Sequence, residues 1–207
     1  MDGFYARTGR LLGPLHRMPI SLKDQFHVKG HDSTLGYVGR AFQPAPLDCV
    51  LVSMLRHMGA VIMAKSNLPQ SIMVCPTRSL WLSTFRIEQR YPNSSSQWCE
   101  TENPLWGLTT HPLRADFTPS GSTGGRAALL SLRDTVVGWG TDMGGSIRIP
   151  AHMNGLYGLK PSVRVPTLPQ LSVAVAAETS YRVHASLIMT SPSPPKAKSM
   201  CPRSLSP

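Results

Sequence analysis

PLDCVLVSMLRHMGAVIMA, residues 46–64, sets the fold class. Leu47, Val50, Leu51, Met54, Leu55 and Met58 recur at helical spacing, which predicts an amphipathic helix over 46–58. Gly59 ends it, and Ala60-Val61-Ile62-Met63-Ala64 reads as a short buried strand. A helix that feeds straight into a buried strand is the unit of an α/β fold, a sheet with helices packed on it.

Working outward, the same texture covers residues 14–75 and returns from 100 to 161. Arg17 to Leu22 reads as a strand that delivers Lys23 at its end. Thr123 or Ser122 is placed to cap a helix through Ala127–Leu132, and Val136-Val137-Gly138-Trp139 reads as a strand opening into a glycine-rich loop. Two stretches break the texture. Residues 76–99 hold Trp81, Phe85, Tyr91 and Trp98 without a period, followed by Asn93-Ser94-Ser95-Ser96, and read as foreign to their surroundings. From Val163 to Pro207 the chain carries 7 prolines and 8 serines, which predicts a disordered basic tail in which only Leu171–Ala177 has strand character.

Composition excludes several classes. The formal charge of +10 invites a nucleic-acid partner, yet +2 of it sits in 76–99 and +4 in 163–207, with no basic stripe interleaved with aromatics. No nucleic-acid partner is expected. Cys49, Cys75, Cys99 and Cys201 are too widely spaced for a metal knuckle, so they read as incidental thiols. No apolar run approaches the ~20 residues that span a bilayer. Met1-Asp2-Gly3-Phe4 lacks a secretory pattern, which makes the cytoplasm the expected compartment.

Chemistry concentrates in three places. Ser122 lies in Pro119-Ser120-Gly121-Ser122-Thr123-Gly124-Gly125, and Ser146 in Gly140-Thr141-Asp142-Met143-Gly144-Gly145-Ser146-Ile147-Arg148-Ile149-Pro150. Lys23 ends Pro19-Ile20-Ser21-Leu22-Lys23-Asp24. A serine hydroxyl is a poor nucleophile near neutrality and needs a base and a site for an oxyanion. Glycines on both sides let the backbone turn sharply and aim its N–H groups inward. His16 and His152 look structural, which leaves a lysine as the available base. Taken singly, each feature has a plainer reading: a solvated lysine, a helix cap, a phosphate-binding turn, or an Asp142–Arg148 surface pair.

Taken together, these blocks resemble the amidase signature family, its acetamidase-like branch above all, with fatty acid amide hydrolase a more distant relative. The resemblance rests on Pro119–Pro150, on Gly155-Leu156-Tyr157-Gly158-Leu159-Lys160-Pro161, and on Gly13–Asp24. Lys65-Ser66-Asn67-Leu68-Pro69-Gln70 and Glu102-Asn103-Pro104-Leu105-Trp106-Gly107 extend it, so that it covers about 11–75 and 100–162. It implies a central mixed sheet flanked by helices, of which only part is expected here. It also implies hydrolysis of small carboxamides to an acid and ammonia or an amine through an acyl-enzyme. By motif position Ser146 would be the nucleophile, Ser122 a bridging serine after a cis peptide, and Lys23 the base. Backbone N–H groups at Met143, Gly144, Gly145 and Ser146 would hold the oxyanion, and Ile72 would line the substrate pocket. Neither a metal nor an organic cofactor is implied.

The chain departs from that family in ways that define the rival reading, a truncated, catalytically silent relative. Arg126 stands where the family has Glu, Ser or another small residue, and a cation beside the base is expected to be unfavourable. Residues 76–99 interrupt the segment between the lysine strand and the serine loops; without them the 99-residue separation of Lys23 and Ser122 falls to the family's spacing. The resemblance stops at Lys160-Pro161-Ser162, and the chain begins close to its lysine motif. Residues 1–162 are accordingly expected to form a partial amidase signature core with a foreign insert, and 163–207 a tail.

Overall fold

A computed structural model describes residues 2–72, 100–161 and 185–190. The stretch 76–99 and the expected strand at 171–177 lie outside the described residues. The chain runs helix α1 (Asp2–Thr8), strand β1 (Pro19–Lys23), helix α2 (Val50–His57) and strand β2 (Val61–Ser66). A small antiparallel pair follows, β3 (Glu102–Asn103) with β4 (Gly107–Leu108). Helix α3 (Gly124–Ser131), β5 (Val137–Thr141), α4 (Arg148–Met153), β6 (Tyr157–Leu159) and β7 (Ala185–Met189) complete it.

The main sheet has the order β2-β1-β5-β7-β6. Strand β1 pairs in parallel with both β2 and β5, whereas β7 runs antiparallel to β5 and β6. The sheet is therefore mixed and helices flank it, as the sequence implies. Strand alternation then sorts the side chains of β1. Ile20 and Leu22 join Val52 and Leu55 of α2, with Val137 and Phe26, in one buried apolar cluster. Ser21 and Lys23, also fully buried, alternate with them and belong to the opposite face. Along that side, Ala127, Leu130, Ile147, Ala151 and Ile188 form a second apolar cluster beside the polar residues. One face of the sheet is conventional core; the other is part core and part polar site.

Four features differ from the sequence expectations. Helix α2 starts at Val50, not 46. Asp48 is engaged elsewhere, accepting the Lys29 backbone N–H at 2.7 Å and pairing with Arg56 at 3.2 Å, and Leu47 is exposed. Helix α3 has Thr123 at its N-cap, but no side-chain oxygen caps it. The tail reading fails over 185–189, which forms a five-residue strand against Val137–Thr141. Helix α4 was not foreseen, because Pro150 sits within its first turn, a position where the missing N–H is tolerated.

Leu55 is fully buried between α2 and the sheet, whereas Met54 is half exposed on the same helix. Leu55→Ala is expected to lower unfolding free energy by about 2–5 kcal/mol. Met54→Ala should stay within about 0.5 kcal/mol of wild type. Urea denaturation of the two variants measures both; equal losses would contradict this placement of the core.

Candidate active site

Strand β1 ends at Lys23 with its side chain on the polar face of the sheet, next to the start of α3. The Lys23 Nζ donates to Ser122 Oγ at 2.6 Å and contacts Thr141 Oγ1 at 3.3 Å. Thr141 in turn donates to Gln25 Oε1 at 2.8 Å. All four residues are buried. The Gly121–Ser122 peptide is cis, as the resemblance implies for the bridging position. Thr141 and Gln25 were not singled out in the sequence. Their only signals were Thr141's place at the mouth of the glycine loop and Gln25's place two residues after the lysine.

Burial governs the ionisation of this cluster. Lys23 forms no ion pair among the described residues, and desolvation lowers its pKa from 10.5 to about 7. The field of Asp142 opposes that shift and the field of Arg126 adds to it. Arg126 is fully buried on the first turn of α3, and burial drives its pKa well below the usual arginine value.

The glycine loop that carries Ser146 is organised by one carboxylate. Asp142 accepts the backbone N–H of Gly145 at 2.8 Å and those of Ile147 and Arg148 at 3.1 Å each. It also forms a two-pronged pair with the Arg148 guanidinium, both bonds at 2.9 Å. Burial pushes the Asp142 pKa up, but these bonds outweigh it and hold the carboxyl below its ordinary range. Asp142 and Arg148 thus order the loop and the start of α4 together. A carboxylate that accepts N–H groups at a helix start is also well placed relative to the helix dipole.

The structure brings Lys23 and Ser122 together but joins neither to Ser146 by a hydrogen bond among the described residues. Ser146 is half-buried at the end of its loop. Met143 and Gly144 are exposed, and their N–H groups and that of Ser146 have no internal partner among the described residues. Gly145 differs. Its N–H is taken by Asp142, so it leaves the set of oxyanion donors expected from sequence, and its φ of +128° suits glycine. Ile72 is half-buried beside the end of the described segment, with φ +66° and its N–H on the Pro69 carbonyl, outside the hydrogen-bonded cluster. His16 Nδ1 accepts the Leu12 N–H at 3.1 Å, a local structural contact, and His152 is exposed. A cavity of about 740 Å³ opens beside Asp24, Lys65, Asn67 and Trp106, and none of the three chemical positions lines it.

The site is thus a buried amine hydrogen-bonded to a serine after a cis peptide, beside a carboxylate-ordered glycine loop on a mixed α/β sheet. The sequence matches the amidase family over residues 2–84 and 93–186, and the chain belongs to that family. The match leaves out only 85–92 within the irregular stretch and continues beyond 162 to the start of β7. It is 56% identical over 162 residues to Amidase 1 of Gibberella moniliformis, covering 78% of this chain and 26% of that protein. Identity to an acetamidase of Emericella nidulans is 39% over 184 residues, 89% of this chain and 29% of the relative. Among solved structures, a fatty acid amide hydrolase superposes with a TM-score of 0.75 at 27% identity, over 92% of this chain and 29% of that one. The chain therefore spans about a quarter of the length of the curated relatives it matches. Among the described residues no helix is long and apolar enough to cross a membrane.

Because the folded pKa of Lys23 lies near 7 and the unfolded value near 10.5, the unfolded chain binds more protons between those limits. The Lys23 contribution to stability consequently rises as pH climbs from 7 to 10.5. The melting temperature of wild type is expected to gain on that of Lys23→Met across this window. A difference between the two that is constant with pH would contradict a buried, neutral amine.

Proposed function

We propose that this chain carries the hydrolytic centre of an amidase that cleaves small carboxamides to a carboxylic acid and ammonia or an amine. The single observation that carries the reading is the 2.6 Å contact between a fully buried lysine amine and Ser122 Oγ. The family membership and the amidase names of the relatives support the same reaction class.

In this reading Lys23 is the base, Ser122 the relay and Ser146 the nucleophile. A neutral amine offers a lone pair, so Ser122 can give its proton to Nζ while accepting one from Ser146 Oγ. The Ser146 oxygen attacks the amide carbonyl and the C=O electrons move onto oxygen. The N–H groups of Met143, Gly144 and Ser146 are the donors placed to stabilise that charge; removing one such donor typically costs about 10²–10³ in rate. Collapse of the intermediate expels the amine, which takes the proton back from Lys23 through Ser122, and leaves an ester on Ser146. Water, deprotonated through the same relay, then releases the acid. Thr141 and Gln25 hold the amine in line, and Asp142 with Arg148 fixes the loop that presents Ser146.

A catalytically silent relative is the second reading, supported by the lack, among the described residues, of a hydrogen bond from Ser146 to the Lys23–Ser122 pair. The two are separated by treating the purified chain with a fluorophosphonate probe and by measuring ammonia release from acetamide. The amidase reading expects labelling that disappears in Ser146→Ala. It also expects turnover that rises with pH through about 7, as Lys23 becomes neutral. A chain that folds yet shows neither labelling nor turnover would establish the silent reading.

A further inference from the structure

Arg126 lies four residues after Ser122, on the first turn of α3, and is the largest fully buried side chain described. It crosses β5 at Gly138, where a Cβ would come within 2.1 Å of Arg126 Cδ and Nη1. Gly138 is paired with Ser21, which shares a face of β1 with Lys23. The guanidinium therefore lies on the same face of the sheet as the amine, against Gly138, whose partner Ser21 stands two residues before Lys23 along β1. Its Nε, Nη1 and Nη2 have no hydrogen-bond partner among the described residues. A buried cation with no anion against it is expensive, and its field is not cancelled locally.

We propose that Arg126 is a positioning residue for the base: its buried, unpaired guanidinium on the same face of the sheet offsets part of the field of Asp142, so that the buried Nζ presents a lone pair to Ser122. The inference rests on the reading of Lys23 as the base. It also reverses the sequence expectation that a cation here is unfavourable, because a like charge opposes protonation of an amine, the direction a general base requires. The same repulsion makes the transient ammonium a readier donor to the leaving amine.

The other groups around Lys23 leave Arg126 this role. Asp142, from the loop after β5, acts in the opposite sense and more strongly, although its charge is also paired with Arg148. Ser122, Thr141, Gln25 and, across the strand pair, Ser66 are neutral. Lys65 and Asp24, the neighbouring charges on β2 and after β1, pair with one another at 3.4 Å. Burial lowers the proton affinity of Arg126 itself, but a delocalised guanidinium starts well above a lysine amine.

The test is an NMR titration of the full chain with labelled lysine, in which the Lys23 signal is assigned by its loss in Lys23→Met. In wild type the midpoint is expected near 7. In Arg126→Gln, which removes the guanidinium, it should move upward. At pH 6 the neutral fraction of Lys23 falls about tenfold for each pH unit by which the midpoint rises. If Arg126→Gln does not fold, Arg126→Met supplies the comparison, since its apolar chain suits the space against Gly138. An unchanged midpoint in the uncharged variant would overturn the proposal. Repeating the titration in a Ser146→Ala background separates it from the amidase reading, because the Lys23 midpoint must respond to Arg126 whether or not Ser146 is a nucleophile.

Discussion

A lysine amine taken wholly out of water, with a serine hydroxyl at 2.6 Å and no ion pair among the described residues, is the constraint around which this structure is arranged. Such an amine holds its proton weakly, and the fold has to supply polar but neutral company for it. Ser122, Thr141 and Gln25 do so from the start of α3, the end of β5 and the turn after β1. The sheet topology makes this possible. Parallel pairing of β1 with β5 brings the end of the lysine strand beside the strand that opens into the glycine loop. Loops at the carboxyl ends of parallel strands are the usual place for ligands in open α/β sheets.

The opposite face of the same strand solves a different problem. Ile20 and Leu22 pack against α2 in a conventional apolar cluster, which anchors β1 while Ser21 and Lys23 serve the polar side. The loop after β5 is held in turn by Asp142, whose two oxygens accept five hydrogen bonds from Gly145, Ile147 and Arg148. A glycine-rich loop with no such anchor would sample many backbone conformations. The carboxylate reduces them to one and fixes where Ser146 stands, at the cost of Gly145's N–H as an external donor.

How far the sequence could be read follows from what each feature depends on. The α2–β2 unit was legible because a helical period followed by an apolar run is local information, and only its start was misplaced, since Asp48 is drawn to Lys29 and Arg56. Lys23, Ser122 and Ser146 were legible as motif positions, and the cis peptide before Ser122 came with the resemblance. The Thr141–Gln25 arm of the cluster was not, because 116 residues separate them and only the β1–β5 pairing brings them together. Arg126 stands out in the sequence by its identity, but its full burial without a hydrogen-bond partner among the described residues is a tertiary fact. Strand β7 escaped notice because Ala185–Met189 sits in a proline- and serine-rich stretch, and its pairing with β5 reaches back more than forty residues.

If Lys23 and Ser122 serve a nucleophile, Ser146 must take the acyl group. The direct measurement is acid quench of the chain during reaction with an activated acetyl ester, followed by peptide mapping of the trapped adduct. One acetyl group on Ser146, forming faster as pH rises through about 7, is the predicted result. A chain that folds but carries the acetyl group on Ser122, on Lys23 or nowhere would contradict it.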